Sequence, residues 1–388
     1  MKKKEIYITG LGTYSPAGYG IRDTWENIED GKTGITRHSS WLNQNIESHL
    51  YGLPPEISFE KEIEWNEFSK PTKYSMYGLL ACKKAIEDAN INLDKHYNGI
   101  GMVIETSMGS AFSVEEYLYD LYEKGISKIS PMKFTKTVTN TAIGDISRFF
   151  KLNGPSSLLL NECSISHGID LIEKGVADII ICGGIDHYTD YYLLSEQETG
   201  GLVDNKFSLD ECIENCNDTN QKVLGEGACF IVLESGESIE KRKIKPYAKV
   251  IDYSSSFDSE NVLDSTKRSI TALRRNINTI SKSLEKDSNI LWISSFLTDI
   301  QRNESEPVSL LDKLSNKKVE YINHKFFTGD MKSASSLFGV LIASKYLQES
   351  MSAQEDNTIN NQNLDTAIIN TVQEGGGNTL FLLEKYNN

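Results

Sequence analysis

The chain has 388 residues, 39% of them hydrophobic, and its 40 basic against 55 acidic side chains leave a formal charge of −15. That balance excludes non-specific attraction to nucleic acid or to an anionic membrane, and the length suits two halves that share a core. The N-terminal stretch MKKKEIYITGLGT is too short in its apolar part for a secretory h-region or a membrane span, and six cysteines in so long a chain read as reduced thiols, so the expected location is the cytoplasm.

Taken in chain order, β-type apolar runs fall at 6–12, 99–105, 156–160, 178–184, 228–234, 290–295, 319–323, 366–372 and 379–384. Helical periodicity fits Tyr77 to Ala89 and Ala334 to Gln348. The alternation predicts an α/β protein with helices over a largely parallel sheet. GEGACFIVLE (225–234) and GGGNTLFLLE (375–384) share a Gly-x-Gly start, an apolar strand and a terminal Glu at the same spacing, so the chain reads as a duplicated α/β unit. The polar stretch from Ser254 to Asn289 reads as a surface insertion or a loosely packed helix.

Cys163 is the first candidate for chemistry. The run Ser157 to Leu160 reads as a buried strand, and a helix-like segment follows Cys163 and ends before Gly175. A thiol at the start of a helix gains backbone N–H groups and a lowered pKa. The other reading of Cys163 is a small apolar filler at a strand end. Cys212 and Cys216 form C-x3-C without a second pair, and GLGTYSPAGYG lacks the G-x-G-x-x-G frame, so neither a metal nor a dinucleotide cofactor is expected.

Five stretches follow one another in a recognisable order: ITGLGTYSPAGYGIRDTWENIEDGKTGI (8–35), SPMKFTKTVTNTAIGDISRFFKLNGPSS (130–157), GVADIIICGGID (175–186), VLGEGACFIVLE (223–234) and KFFTGDMKSASSLFG (325–339). Together they resemble the elongating β-ketoacyl-ACP synthases of the thiolase superfamily and their relatives in bacterial type II polyketide synthases. The resemblance implies thiolase-like duplicated halves, 1–236 and 237–388, in a five-layered α-β-α-β-α architecture. It also implies that Cys163 stands at the nucleophile position. The two catalytic His positions are held by Phe296 and Asp330, while Lys325 is retained. Neither Phe nor a carboxylate donates a hydrogen bond to an enolate oxygen as neutral His does.

Further departures from the family point the same way. Only 12 positions separate Cys163 from Gly175, which predicts a shortened elbow helix and a thiol without its dipole setting. Glu374 stands where the family has a gating Phe, and ECIENCNDTNQK (211–222) replaces an Arg-Pro-Phe-Asp segment. Such a pattern is similar to the chain-length factors, non-catalytic β subunits that pair with a catalytic ketosynthase α subunit, although that class typically lacks the Cys as well. The expected assembly is a heterodimer or a dimer of heterodimers, with acyl carrier protein reached through the complex and approaching the partner's face. Segments 107–125 and 134–140 resemble the pieces lent to a partner's acyl tunnel, which makes Phe112, Val114, Tyr117, Leu118 and Phe134 tunnel candidates. The same spacing also suits ordinary helix core. The alternative function is a divergent acyltransferase that uses Cys163 without decarboxylation.

Overall fold

The computed structural model describes residues 4–38, 49–66, 70–93, 99–203, 222–258, 271–285, 288–294, 319–349, 364–373 and 376–387. Its strands are β1 (Ile6–Ser15), β2 (Gly18–Tyr19), β3 (Ile35–His38), β4 (His49–Gly52), β5 (Ile100–Thr106), β6 (Ser156–Leu160), β7 (Ile179–Asp186), β8 (Leu224–Gly225), β9 (Gly227–Ser235), β10 (Ala248–Phe257), β11 (Ile290–Ser294), β12 (Val319–Asn323), β13 (Thr366–Val372) and β14 (Gly377–Lys385). β3, β4 and β8 form a small sheet of their own. The rest join in the order β12-β11-β13-β14-β10-β1-β9-β7-β5-β6, with β2 on β1.

Outward from the β1–β10 contact the two sides repeat. One runs β9, β7, β5, β6 and the other β14, β13, β11, β12, so the two Gly-initiated stretches hold matching places as β9 and β14. The sheet is mixed, which corrects the expectation of a largely parallel one. Parallel pairing is confined to β5 with β6 and β7, and to β11 with β12 and β13. β9 runs antiparallel to β7 and β1, and β14 to β13 and β10. The link from β13 to β14 is too short for the crossover that parallel strands need.

The period-two alternation of each strand separates the layers. On β7 and β9, Ile179, Ile181, Phe230 and Val232 pack outward with the helix Lys73–Asp88. Ile180, Cys182, Ile231 and Leu233 pack inward with the helices Ser164–Glu173 and Ser333–Glu349. In the other half, Trp292, Ile368 and Leu382 face the helix Thr271–Ile280, while Ile293, Ile369 and Leu383 join the inner core. The result is helix, sheet, helices, sheet, helix. Helix Lys73–Asp88 starts earlier than its apolar pattern suggested because the Thr72 hydroxyl accepts the Ser75 N–H at 3.1 Å. It lies so close to β1 that a Cβ at Gly12 would stand 2.2 Å from the Ala81 carbonyl oxygen.

Two expectations are corrected here. In the polar stretch from Ser254 to Asn289, residues 259–270 and 286–287 lie outside the described residues, and the described parts are regular and packed. β10 extends to Phe257, and helix Thr271–Ile280 buries Leu273, Ile277 and Ile280 at i, i+4 and i+7. Its buried Asn276 accepts the Ser254 and Ser256 hydroxyls at 2.9 and 2.7 Å and donates to Asn378. β6, expected as a buried strand, closes the sheet and pairs with β5 on one side, so its residues are exposed or half-buried.

Candidate functional site

β6 ends in a tight turn in which Asn161 adopts a positive φ of 53°, a conformation Asn tolerates better than most residues. Cys163 then serves as the N-cap residue of the helix Ser164–Glu173. This corrects the expectation that a shortened elbow would remove the thiol from the helix terminus. The helix is ten residues long, yet it begins directly after Cys163.

The thiol is nevertheless protonated at neutral pH. Burial, and then the neighbouring Glu105, push Cys163 up to about 12, against the backbone N–H groups of Ser166 and Ile165, which favour the thiolate. Glu105 is itself buried and raised well above the usual carboxylate range by desolvation, with its Oε2 accepting the Ser164 N–H at 3.0 Å. A cavity of about 450 Å³ reaches Cys163, lined among others by His167, Tyr253, Ser255, Gln373 and Asn378. On its wall the Tyr253 hydroxyl donates to Asp170 at 2.6 Å.

Asp330 lies past the short helix Lys325–Thr328, before the helix Ser333–Glu349. Its carboxylate takes a 2.9 Å ion pair from Lys325. Burial alone would raise the group, but Lys325, Lys332 and Lys222 together hold it well below the usual carboxylate range. Asp330 is therefore an anion at neutral pH and no donor. Lys332 is pushed down to about 8 by burial and by Lys222, opposed by Asp330 and Glu196, and sits over the rings of Tyr188 and Tyr192.

His324 does not replace the missing imidazoles. It sits just beyond β12, fully buried with its ring 5.9 Å from that of Phe338, and burial followed by Lys325 pushes it down to about 3. Phe296 and Glu374 lie outside the described residues, as do Cys212 and Cys216.

Four of the five tunnel candidates share one helix. Phe112, Val114, Tyr117 and Leu118 belong to the helix Ala111–Lys124, whose single buried residue is Asp120. The Tyr117 and Phe134 rings meet at 5.7 Å, and Phe112 lies 5.9 Å from the His187 ring. None of the five is buried, so ordinary helix core does not describe them. Leu118, Tyr122, Ile126, Met132, Phe134 and Val138 extend the same apolar exposure. Their side chains are not among those lining the cavity at Cys163.

Two carboxylates escaped the sequence reading. Asp186, at the end of β7, accepts the N–H groups of Ser107, Met108 and Ser333 and the Thr106 hydroxyl, tying the loop before helix Ala111–Lys124 to the start of the central helix. Glu105 was the other. The one signal for either was an acid at the end of an otherwise apolar strand run.

A family model described as "Beta-ketoacyl synthase, N-terminal domain" matches residues 3–238. The 3-oxoacyl-[acyl-carrier-protein] synthase 2 of Staphylococcus aureus strain N315 is 26% identical over 272 residues, covering 67% of this chain and 65% of that protein. Its counterpart in Vibrio cholerae is 27% identical over 277 residues, covering 67% and 64%. The chain thus spans about 65% of the length of the curated relatives it matches. Among solved structures, the ishigamide ketosynthase/chain length factor superposes with a TM-score of 0.82 at 17% identity, covering 99% of this chain and 100% of that one. A type II polyketide synthase ketosynthase in complex with its acyl-carrier protein reaches 0.80 at 18% identity, with the same coverage. The fold is thiolase-like, and the chain belongs to the beta-ketoacyl synthase family.

Proposed function

We propose that this chain is a chain-length factor, the non-catalytic subunit of a heterodimeric ketosynthase in type II polyketide biosynthesis, of the aromatic or aryl polyene kind. The observation that carries the reading is the Lys325–Asp330 ion pair. Where the family's decarboxylative chemistry needs an imidazole donor, this chain presents a carboxylate held in its anionic form. The many exposed apolar side chains of helix Ala111–Lys124 and its neighbours support a partner of the same fold, since large exposed apolar surfaces mark interaction sites. One structural neighbour is itself a ketosynthase/chain length factor.

In this reading Phe112 and Tyr117 limit the acyl cavity of the complex. Phe112→Ala or Tyr117→Ala, co-expressed with the partner, should lengthen the polyketide, and unchanged product lengths would remove both residues from that role. Mass spectrometry of the intact subunits after exposure to an acyl thioester tests the whole reading. Acylation confined to a co-purifying partner supports it. Stoichiometric acylation of Cys163 in the isolated chain favours instead a divergent acyltransferase, for which the N–H groups of Ser166 and Ile165 beside the thiol are the supporting observation.

A further inference from the structure

We propose that Glu105 is the residue that keeps Cys163 unreactive, by placing a buried carboxyl on the helix N-terminus that would otherwise serve a thiolate. The inference deepens the proposed non-catalytic role, and it rests on that reading only for its biological meaning. β5 and β6 run parallel with Glu105 paired to Leu159, so the side chain leaves β5 alongside the strand that delivers Cys163. Glu105 is 1% exposed. Its Oε2 takes the Ser164 N–H at 3.0 Å, the first backbone donor after Cys163. Among the described residues its Oε1 has no hydrogen-bond partner, and neither has the buried hydroxyl of Ser164.

An unsatisfied carboxylate oxygen in a fully buried position is costly, so the residue needs a reason to be there. It adds nothing to packing that an apolar side chain would not supply. Its one specific effect is electrostatic: the carboxyl gives up its proton before the thiol does, so ionising the thiol would then set a second negative charge beside it in a low dielectric, with both competing for one helix terminus. The other groups facing the thiol do not do this. Cys182 from β7 is a neutral thiol aimed at the Ser164 carbonyl, Tyr253 from β10 is a neutral phenol, Glu162 just before the thiol is exposed to water, which screens it, and on the thiol's own helix Asp170 is engaged by Tyr253 and Lys174 while His167 carries no negative charge.

The test compares alkylation of Cys163 by iodoacetamide in the isolated full chain with that in E105Q and E105A, read by mass spectrometry of the Cys163 peptide. The thiolate sulfur displaces iodide, so each event adds one carbamidomethyl group. E105Q removes the ionisable acid and keeps an acceptor for Ser164, and E105A removes both. Each should alkylate faster at neutral pH, by about tenfold for every unit the thiol pKa falls, with the midpoint of the pH–rate profile moved to lower pH. A merely structural role for Glu105 would not move that midpoint. Wild-type rates with an unmoved midpoint in the folded variants overturn the proposal, and if E105A does not fold, E105Q alone decides. The readout needs no partner, so it fails or succeeds independently of co-purification and product length.

Discussion

Two helices of this chain carry similar apolar content and use it in opposite ways. Ser333–Glu349 lies between the two sides of the sheet, with Leu337, Phe338, Val340, Leu341 and Ile342 at 1% exposure or less. Ala111–Lys124 keeps Phe112, Leu118, Tyr119 and Tyr122 in solvent and buries only Asp120. The first helix is stabilised within the chain. The second is arranged for something outside it, and its one buried residue is an acid bridged by Lys124 and Lys133 rather than an apolar anchor.

The sharpest way to break that contrast is to cut the inner helix. Phe338→Ala should destabilise the isolated chain by about 3–5 kcal/mol, read from the urea midpoint at constant m-value. Next in size is Lys325→Met, which leaves Asp330 charged with its nearest cation gone. We expect a loss of about 3 kcal/mol, at the low end for a broken buried pair because Lys332 and Lys222 still face the carboxylate.

The sign of its pH dependence follows from the depressed Asp330 pKa. The pair's contribution is full above the unfolded value near 4 and is lost as pH falls towards the folded value. Stability of the wild type should therefore drop below about pH 4 more steeply than that of Lys325→Met. Equal slopes in urea melts across that range would show that the pair does not hold Asp330 down.

The smallest effect on the isolated chain belongs to the outer face. Phe134→Ala should change its stability by no more than about 0.5 kcal/mol, since the ring is 57% exposed. The same substitution should weaken association with a ketosynthase partner by roughly tenfold or more, about 1.4 kcal/mol, measured by titration of the two subunits. A large loss of monomer stability with unchanged association would reverse the contrast between the helices.

Much of this fold was legible in the sequence because the strands are continuous apolar runs and the repeat is written twice. β6, β12 and β13 match the predicted spans without a residue's difference. What periodicity does not carry is which side of a strand finds a neighbour. β6 has the composition of a core strand and lies at the sheet's limit, and Ser254 to Phe257 look like loop because their hydroxyls are satisfied by Asn276, a residue distant in sequence.

The candidate site was proposed by position and not by state. Cys163, Lys325 and Asp330 came from the family resemblance carried along the chain, but the anionic form of Asp330 depends on three lysines converging, and the raised thiol on burial and then on Glu105 from another strand. Neither convergence leaves a local trace. The elbow was misread for a related reason, since counting residues to Gly175 measures a helix's length and says nothing about whether the thiol caps its start.

The exposed border of β6 has a consequence for supply. Among the described residues β6 pairs on one side only, and its free side beside Leu160, itself in solvent, is a template that an extended segment can join. Chains synthesised in excess of whatever covers that border should therefore be the first to precipitate or to be degraded. The steady amount of this protein would then track the supply of whatever covers that border more closely than its own expression.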